Sequence, residues 1–211
     1  MTGTATSSEI LDLYRGAKGR PRLVEVPELW FLMVDGTGPP GGAECQEAEA
    51  ALNAVDSALR LAIQSRGRDV EITPLEACWS VVNPHRAPVG IERGLLDLEK
   101  ASWSWTAMIR QSEPVAEHLV DEAVRGARAK AGIPAIERLR FAPLHEGLAV
   151  QIVHPGPYDA EPTSLEVLHR YLADHDYRPA GRHHEIYLNN AEHCAPDRLR
   201  TILRQPVAGP G

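Results

Sequence analysis

The order of predicted elements repeats along this 211-residue chain, and the repeat constrains the fold more than any other feature. Alternating apolar residues predict strands, and apolar residues three and four positions apart predict helices. The first copy comprises strands at 22–26 and 29–34, a helix at 44–65 and strands at 75–82 and 102–111. The second copy comprises strands at 138–142 and 147–154, a helix at 164–175 and strands at 183–189 and 199–204. A helix at 115–131 links the copies, and an internal duplication is the simplest explanation of this order.

The repeat predicts an α+β fold of duplicated strand-helix-strand-strand units. We expect a mostly antiparallel curved sheet with helices on one side and a central ligand groove, since ligand sites commonly form where two such units meet. Residues 1–20 are predicted to be a flexible arm, and residues 21–211 a domain of two pseudo-symmetric halves, 21–112 and 113–211.

Composition excludes several classes of function. The net charge of −7 argues against nucleic acid or an anionic membrane as the partner. No apolar run is long enough to cross a bilayer, and no spacing of histidine and cysteine fits a metal site. Three widely separated cysteines are typical of reduced thiols, so we expect a cytoplasmic protein.

The segment 183–190 carries the candidate chemistry. In a strand, Glu185 and Tyr187 point to the same face, which places a carboxylate beside a phenol. A carboxylate withheld from water is a competent general base near neutral pH, and Tyr187, or Tyr158 in the Gly-Pro turn, could donate to a ligand oxygen. The alternative is an edge strand whose polar face lies in water.

Three of the four tryptophans form a second candidate feature. Trp103 and Trp105 share one face of a predicted strand, and Trp79 lies on the preceding strand. Clustered indoles either line a site for a flat or cationic ligand or pack in the core, and the spacing fits both interpretations.

Several segments together resemble the stand-alone GyrI-like small-molecule-binding proteins, which are related to the effector-binding domains of multidrug-sensing regulators. The resemblance covers nearly the whole chain. It rests on 24–27 (VEVP), 74–76 (PLE), 103–111 (WSWTAMIRQ), 145–151 (HEGLAVQ), 154–158 (HPGPY), 184–188 (HEIYL) and 199–204 (LRTILR).

The resemblance implies an aromatic-lined groove and a glutamate, Glu185, that meets the ligand. Some stand-alone members are hydrolases that open the cyclopropane of spirocyclopropyl-dienone DNA alkylators of the yatakemycin and duocarmycin type. Glu185 would then activate water, Tyr187 or Tyr158 would assist, and neither a metal nor an organic cofactor is expected. The residues expected to contact the planar, apolar substrate are Trp79, Trp103, Trp105, Met33 and Met108.

Two other functions stay open from the sequence. The same groove could bind and sequester a drug without turnover, and an acidic surface could instead act on a protein partner as a gyrase inhibitor does. The scattered acidic residues do not favour a protein partner.

Overall fold

The computed structural model describes residues 6–16, 18–81, 103–112 and 115–209, which form two compact units. The described residues of Met1–Glu28, Cys78–Leu96 and His145–Gly211 form the first unit, and those of Leu29–Ala77 and Asp97–Leu144 form the second. Both units combine helices with antiparallel strands, which confirms the predicted α+β class.

The first unit is an antiparallel ladder with one helix packed on it. Its elements are α1 (Ser7–Leu13), β1 (Arg22–Val26), β6 (Gly147–Pro155), α4 (Glu161–Asp174), β7 (Arg178–Pro179), β8 (His183–Tyr187) and β9 (Arg200–Ala208). Strand β6 pairs with β1 on one side and β9 on the other, and β9 also pairs with β7 and β8. The prediction stopped the last strand at residue 204, whereas β9 continues to Ala208.

The second unit has the same kind of ladder. Its elements are β2 (Leu29–Thr37), α2 (Ala43–Gln64), β4 (Trp103–Arg110), α3 (Glu117–Ala131) and β5 (Arg140–Leu144). Strand β2 pairs antiparallel with β4 and with β5. Strand β3 (Leu75–Val81) is divided between the units after Ala77. The strands predicted at 75–82 and 102–111 correspond to β3 and β4, and residues 82 and 102 lie outside the described ranges.

The compact units do not follow the contiguous halves 21–112 and 113–211. Strand β1 opens the first copy in the sequence, yet it pairs with β6 of the second copy. Likewise β5 opens the second copy but pairs with β2 of the first. Each unit therefore takes its edge strand from the other copy, and pseudo-symmetry between the halves stays a prediction.

Helix α4 covers one face of the first ladder. Residues directly opposite each other in antiparallel strands point to the same face. The register places Ile152, Leu203 and Glu185 in one cross-strand row and His154, Thr201 and Tyr187 in the next. The core beneath α4 consists of Leu165, Leu168, Leu172, Val150, Ile152, Leu203 and Val207. The Glu185 and Tyr187 side chains therefore point to the face that α4 covers.

The segment 1–20, predicted to be a flexible arm, contains helix α1, and the flexibility of the arm stays a prediction. Thr6 and Glu9 form a capping box in which each side chain accepts a hydrogen bond from the other's backbone N–H. Leu13, at the end of α1, is 5% exposed, and Asp12 pairs with Arg22 of β1 at 2.7 Å. The capping box and the burial of Leu13 thus stabilise a helix in a segment for which the polar composition predicted no regular structure.

In the described part of the chain, no helix combines the length and apolar character needed to span a membrane.

Candidate functional site

A carboxylate and a phenol are hydrogen-bonded to each other at the end of β8. The Tyr187 hydroxyl donates to Glu185 Oε2 at 2.8 Å and accepts from Trp79 Nε1 at 3.3 Å. The Glu185 side chain is 12% exposed, and its Oε1 lies 3.5 Å from Nε2 of buried His183. The sequence predicted this pair from strand alternation, and the structure brings the two groups into direct contact.

The proton of Tyr187 is committed to Glu185. Burial, the negative charge of Glu185 and the hydrogen bond to that carboxylate hold the pKa of the Tyr187 phenol well above its ordinary value, although the Trp79 N–H opposes this shift. A phenol has one proton to donate. Tyr187 therefore fixes the orientation of Glu185 and keeps its own proton.

Trp79 contacts the site differently from the prediction. Its side chain is 2% exposed, and its N–H points to the Tyr187 hydroxyl. This contact assigns the indole to holding Tyr187 in place. Stacking of Trp79 on a ligand stays a prediction.

Tyr158 lies at the margin of this site. It is 42% exposed, and its ring meets that of Tyr187 edge to face at a centroid distance of 5.7 Å. The turn that carries it follows β6 and contains Gly156, whose φ of 114° is rarely open to residues with a side chain. Tyr158 therefore presents an aromatic edge and a hydroxyl beside the Glu185–Tyr187 pair.

His154 anchors the turn that carries Tyr158. Its Nε2 lies 3.1 Å from the Pro157 carbonyl oxygen, which can only accept, so Nε2 carries the proton. Its Nδ1 lies 2.9 Å from Ser164 Oγ, within hydrogen-bond distance. A buried histidine thus ties the Tyr158 turn to the first turn of α4.

A second carboxyl, which the sequence interpretation missed, belongs to the same site. Glu161 is the first residue of α4, is 8% exposed and lies on the buried stripe of that helix with Ser164 and Leu165. Its Oε1 makes no hydrogen bond within the part of the chain that the structure describes. The predicted helix began at 164, but Pro162 occupies the first turn, and Ser164 bonds to His154 and does not cap.

The environment of Glu161 keeps a proton on it. Burial and then the negative charge of Glu185 raise its pKa from 4.5 to about 9, against an opposing effect of the Thr201 hydroxyl. Two neighbouring carboxyls in a water-poor site cannot both ionise at little cost. These surroundings therefore favour the protonated form of Glu161 at neutral pH.

The opposite face of β8 carries a buried ionic cluster. His184 Nδ1 lies 3.0 Å from Glu146 Oε1, and Arg204 donates to Glu146 Oε2 at 2.8 Å. Burial of Glu146 disfavours its charge, but the charges of His184 and Arg204 and their hydrogen bonds hold its pKa at about 2. The sequence interpretation treated 145–147 as a tight turn and did not anticipate this role of Glu146.

The cluster also holds the N-terminal helix. Arg204 donates to the Leu13 carbonyl at 3.3 Å and to Gln151 Oε1 at 3.0 Å. Gln151 Nε2 in turn donates to the Leu13 carbonyl at 3.0 Å and to that of Arg15 at 3.3 Å. One carboxylate, one guanidinium and one amide thus connect β6, β9 and the end of α1.

The remaining predicted contacts lie in the second unit. Trp103 and Trp105 are 7% and 1% exposed, and Met33 and Met108, which pair directly across β2 and β4, are 3% and 0% exposed. Strand alternation sends the tryptophans to one face of β4 and Met108 to the other. A groove on one face would contact one pair and not the other, and a ligand role for either pair stays a prediction.

Trp105 is packed against backbone. Gly36 lies opposite it in the β2–β4 register, and a Cβ built at Gly36 would overlap the indole ring. Its Nε1 is buried without a hydrogen-bond acceptor among the described residues. This packing accounts for the absence of a side chain at Gly36.

No group of three or more histidine, cysteine, aspartate or glutamate side chains in the described ranges is arranged to hold a metal ion.

Comparisons with known proteins identify the family. The family described as the GyrI-like small-molecule-binding domain matches residues 100–208. A conserved, uncharacterised protein from Listeria innocua superposes with a TM-score of 0.82 at 28% identity, over 95% of this chain and 98% of that one. A hydrolase from Listeria innocua gives a TM-score of 0.78 at the same identity and coverage. The search of curated proteins gives no match.

A more distant solved structure agrees in fold alone. The C-terminal domain of EcmrR gives a TM-score of 0.54 at 14% identity, over 90% of this chain and 98% of that one.

Since the family match spans more than half of the 211 residues, the chain belongs to the GyrI-like small-molecule-binding family.

Proposed function

We propose that this protein is a hydrolase that opens the cyclopropane of planar spirocyclopropyl-dienone alkylating agents of the yatakemycin and duocarmycin type. The observation that carries the proposal is the shielded Glu185 carboxylate, held at 2.8 Å by the Tyr187 hydroxyl. The hydrolase from Listeria innocua, at 28% identity over nearly the whole chain, supports hydrolysis as the reaction class. In the cytoplasm such a reaction would consume the electrophile before it reaches DNA.

Glu185 is the base in this proposal. It removes a proton from water, and the oxygen attacks the cyclopropane CH₂. The electrons of the broken C–C bond pass into the dienone, which becomes a phenol, so the product differs from the substrate by one water. A positioned base contributes about 10²- to 10⁴-fold in rate.

Tyr187 and Tyr158 assist in different ways. Tyr187 directs one oxygen of Glu185 by donating to Oε2 and leaves Oε1 to meet the water. Tyr158, partly exposed beside it, offers an aromatic edge to the flat substrate and a hydroxyl to the water or to the dienone oxygen. No metal or organic cofactor has a step in this reaction.

The test is mass spectrometry of a duocarmycin-type compound incubated with a catalytic amount of protein. We expect a product heavier by one water, formed over many turnovers. Glu185→Gln should lower the turnover rate about 10²- to 10⁴-fold and leave substrate binding largely unchanged. Glu192→Gln, which changes an exposed carboxylate in the same unit, serves as the matched control and should keep the wild-type rate.

The outcomes separate the proposal from its alternative. Wild-type turnover in Glu185→Gln would show that the base is another residue. Saturable binding with no new mass would show a drug-sequestering protein, which the family description also fits. Trp105→Ala tests the predicted aromatic wall, because unchanged substrate affinity would assign that indole to the core.

A further inference from the structure

The proposed reaction needs a proton donor as well as a base. When the C–C bond breaks, negative charge develops on the dienone oxygen, and a donor at that oxygen stabilises it. Tyr187 does not meet this need, because its hydroxyl already donates its hydrogen bond to Glu185. Tyr158 can hydrogen-bond this oxygen from the margin of the site, and a second group, a buried carboxyl, is available to supply the proton.

Glu161 is placed to do so. It lies on the buried stripe of α4, above the sheet face that carries Glu185 and Tyr187, and only 8% of its surface is exposed. Its buried Oε1 has no hydrogen-bond partner among the residues that the structure describes. A buried polar atom without a partner is costly in a native protein, so it points to a contact that a ligand supplies.

We propose that Glu161 is the general acid of this site and donates its proton to the substrate oxygen while Glu185 takes a proton from water. This inference rests on the proposed hydrolysis and names the second catalytic group of that reaction. It assigns opposite roles to two carboxyls because their surroundings differ, as acid–base pairs require.

The protons balance over one cycle. Glu185 gains a proton from water, the hydroxide oxygen bonds to the CH₂, the C–C bond electrons form the phenolate, and Glu161 protonates the phenolate oxygen. The pair then holds its one proton on Glu185. Return of that proton to Glu161 restores the starting state, and water is the only co-reactant.

The groups that face Glu161 favour its protonated form. The sheet face beneath α4 carries His183, Glu185 and Tyr187 from β8, His154 from β6 and Thr201 from β9, and of these Glu185 and Thr201 act directly on Glu161. None of these is a lysine or an arginine, and both ring nitrogens of His154 are engaged, by Ser164 Oγ and by the Pro157 carbonyl. In accord with this geometry, burial and the charge of Glu185 raise the pKa of Glu161 to about 9.

The test compares the pH dependence of turnover in wild type, Glu161→Gln and Glu166→Gln, with the duocarmycin-type compound as substrate. Wild-type kcat should fall as the pH rises through about 9, because Glu161 then loses its proton. Glu161→Gln keeps the shape of the side chain but has no acidic proton. It should lower kcat about 10²- to 10⁴-fold and abolish the fall at high pH, with the dissociation constant of the substrate unchanged. Glu166, exposed on the same helix, is the matched control and should behave as wild type.

A second variant separates catalysis from a structural role. Glu161→Ala leaves space for a small carboxylic acid, so added formic acid should restore part of the lost rate. Turnover of Glu161→Gln at the wild-type rate, or a retained fall above pH 9, would overturn this inference and leave the proposed hydrolysis intact. Absence of turnover in the wild-type protein would overturn the hydrolysis itself, and this assignment with it.

Discussion

Glu161 should make the folded protein less stable at neutral pH than it would be without this carboxyl. Its pKa in the folded state is about 9, against 4.5 for the unperturbed group. Between these values the folded chain binds a proton that the unfolded chain has released. Stability therefore falls as the pH rises through this window, because the unfolded state binds fewer protons.

The size of the effect follows from linkage. Each pH unit above 4.5 corresponds to about 1.4 kcal/mol, so the carboxyl disfavours folding by about 3 kcal/mol at pH 7. Gln at this position is neutral at every pH and close to the shape of the protonated acid. Glu161→Gln should therefore raise the free energy of unfolding by up to about 3 kcal/mol at pH 7 and change it little at pH 4.

Urea denaturation at a series of pH values from 4 to 8 measures this difference. The midpoint of Glu161→Gln should move away from that of wild type as the pH rises, while Glu166→Gln stays parallel to wild type. A stability difference that is independent of pH would refute the reasoning, since a polar or packing effect of glutamine has no reason to titrate. A variant less stable than wild type at pH 7 would refute it as well.

Two further perturbations test the other parts of the fold. Glu146, with a pKa of about 2, stabilises the folded state fully above about pH 4.5, and this contribution is lost as the pH falls through 2. Glu146→Gln should cost about 3 to 5 kcal/mol at pH 7, because it leaves the buried Arg204 without its anion, and the urea-derived difference from wild type should shrink on acidification. Gly36→Ala places a Cβ against the Trp105 indole and should cost about 1 to 3 kcal/mol, visible as a lower melting temperature and a changed indole fluorescence, whereas an unchanged protein would mean that this ring is loosely packed.

Periodicity predicted the helices and strands because each element buries a regular face. The helix predicted at 44–65 is Ala43–Gln64, and the one predicted at 115–131 is Glu117–Ala131. Periodicity did not predict that β1 of the first copy pairs with β6 of the second, or that β5 of the second copy pairs with β2 of the first. Alternation says which face of a strand is buried, but it does not say which strand will be its neighbour.

The missed part of the site was accessible from the same pattern. Reading the apolar positions of α4 backwards from Leu172 through Leu168 and Leu165 reaches position 161, where the residue is a glutamate. Ser164 obscured this, because a serine before an apolar run is a common helix start. Its hydroxyl instead bonds to His154, a contact between distant parts of the sequence that local patterns do not contain.

Strand β8 serves the site with both of its faces. Glu185 and Tyr187 point to one face, and His184 between its neighbours points to the other, where it meets Glu146. If Glu185 is the base, as proposed, it acts well only when its position is fixed before the substrate arrives. The ionic cluster on the opposite face of β8 is placed to hold the strand in position. The two carboxyls have opposite effects on stability at neutral pH. The ionised form of Glu146 is favoured in the folded state, whereas folding requires Glu161 to take up a proton. Damage to this cluster should therefore lower the stability of the fold and, by displacing Glu185, also lower turnover. Glu146→Gln should reduce kcat even at temperatures where the variant protein remains folded.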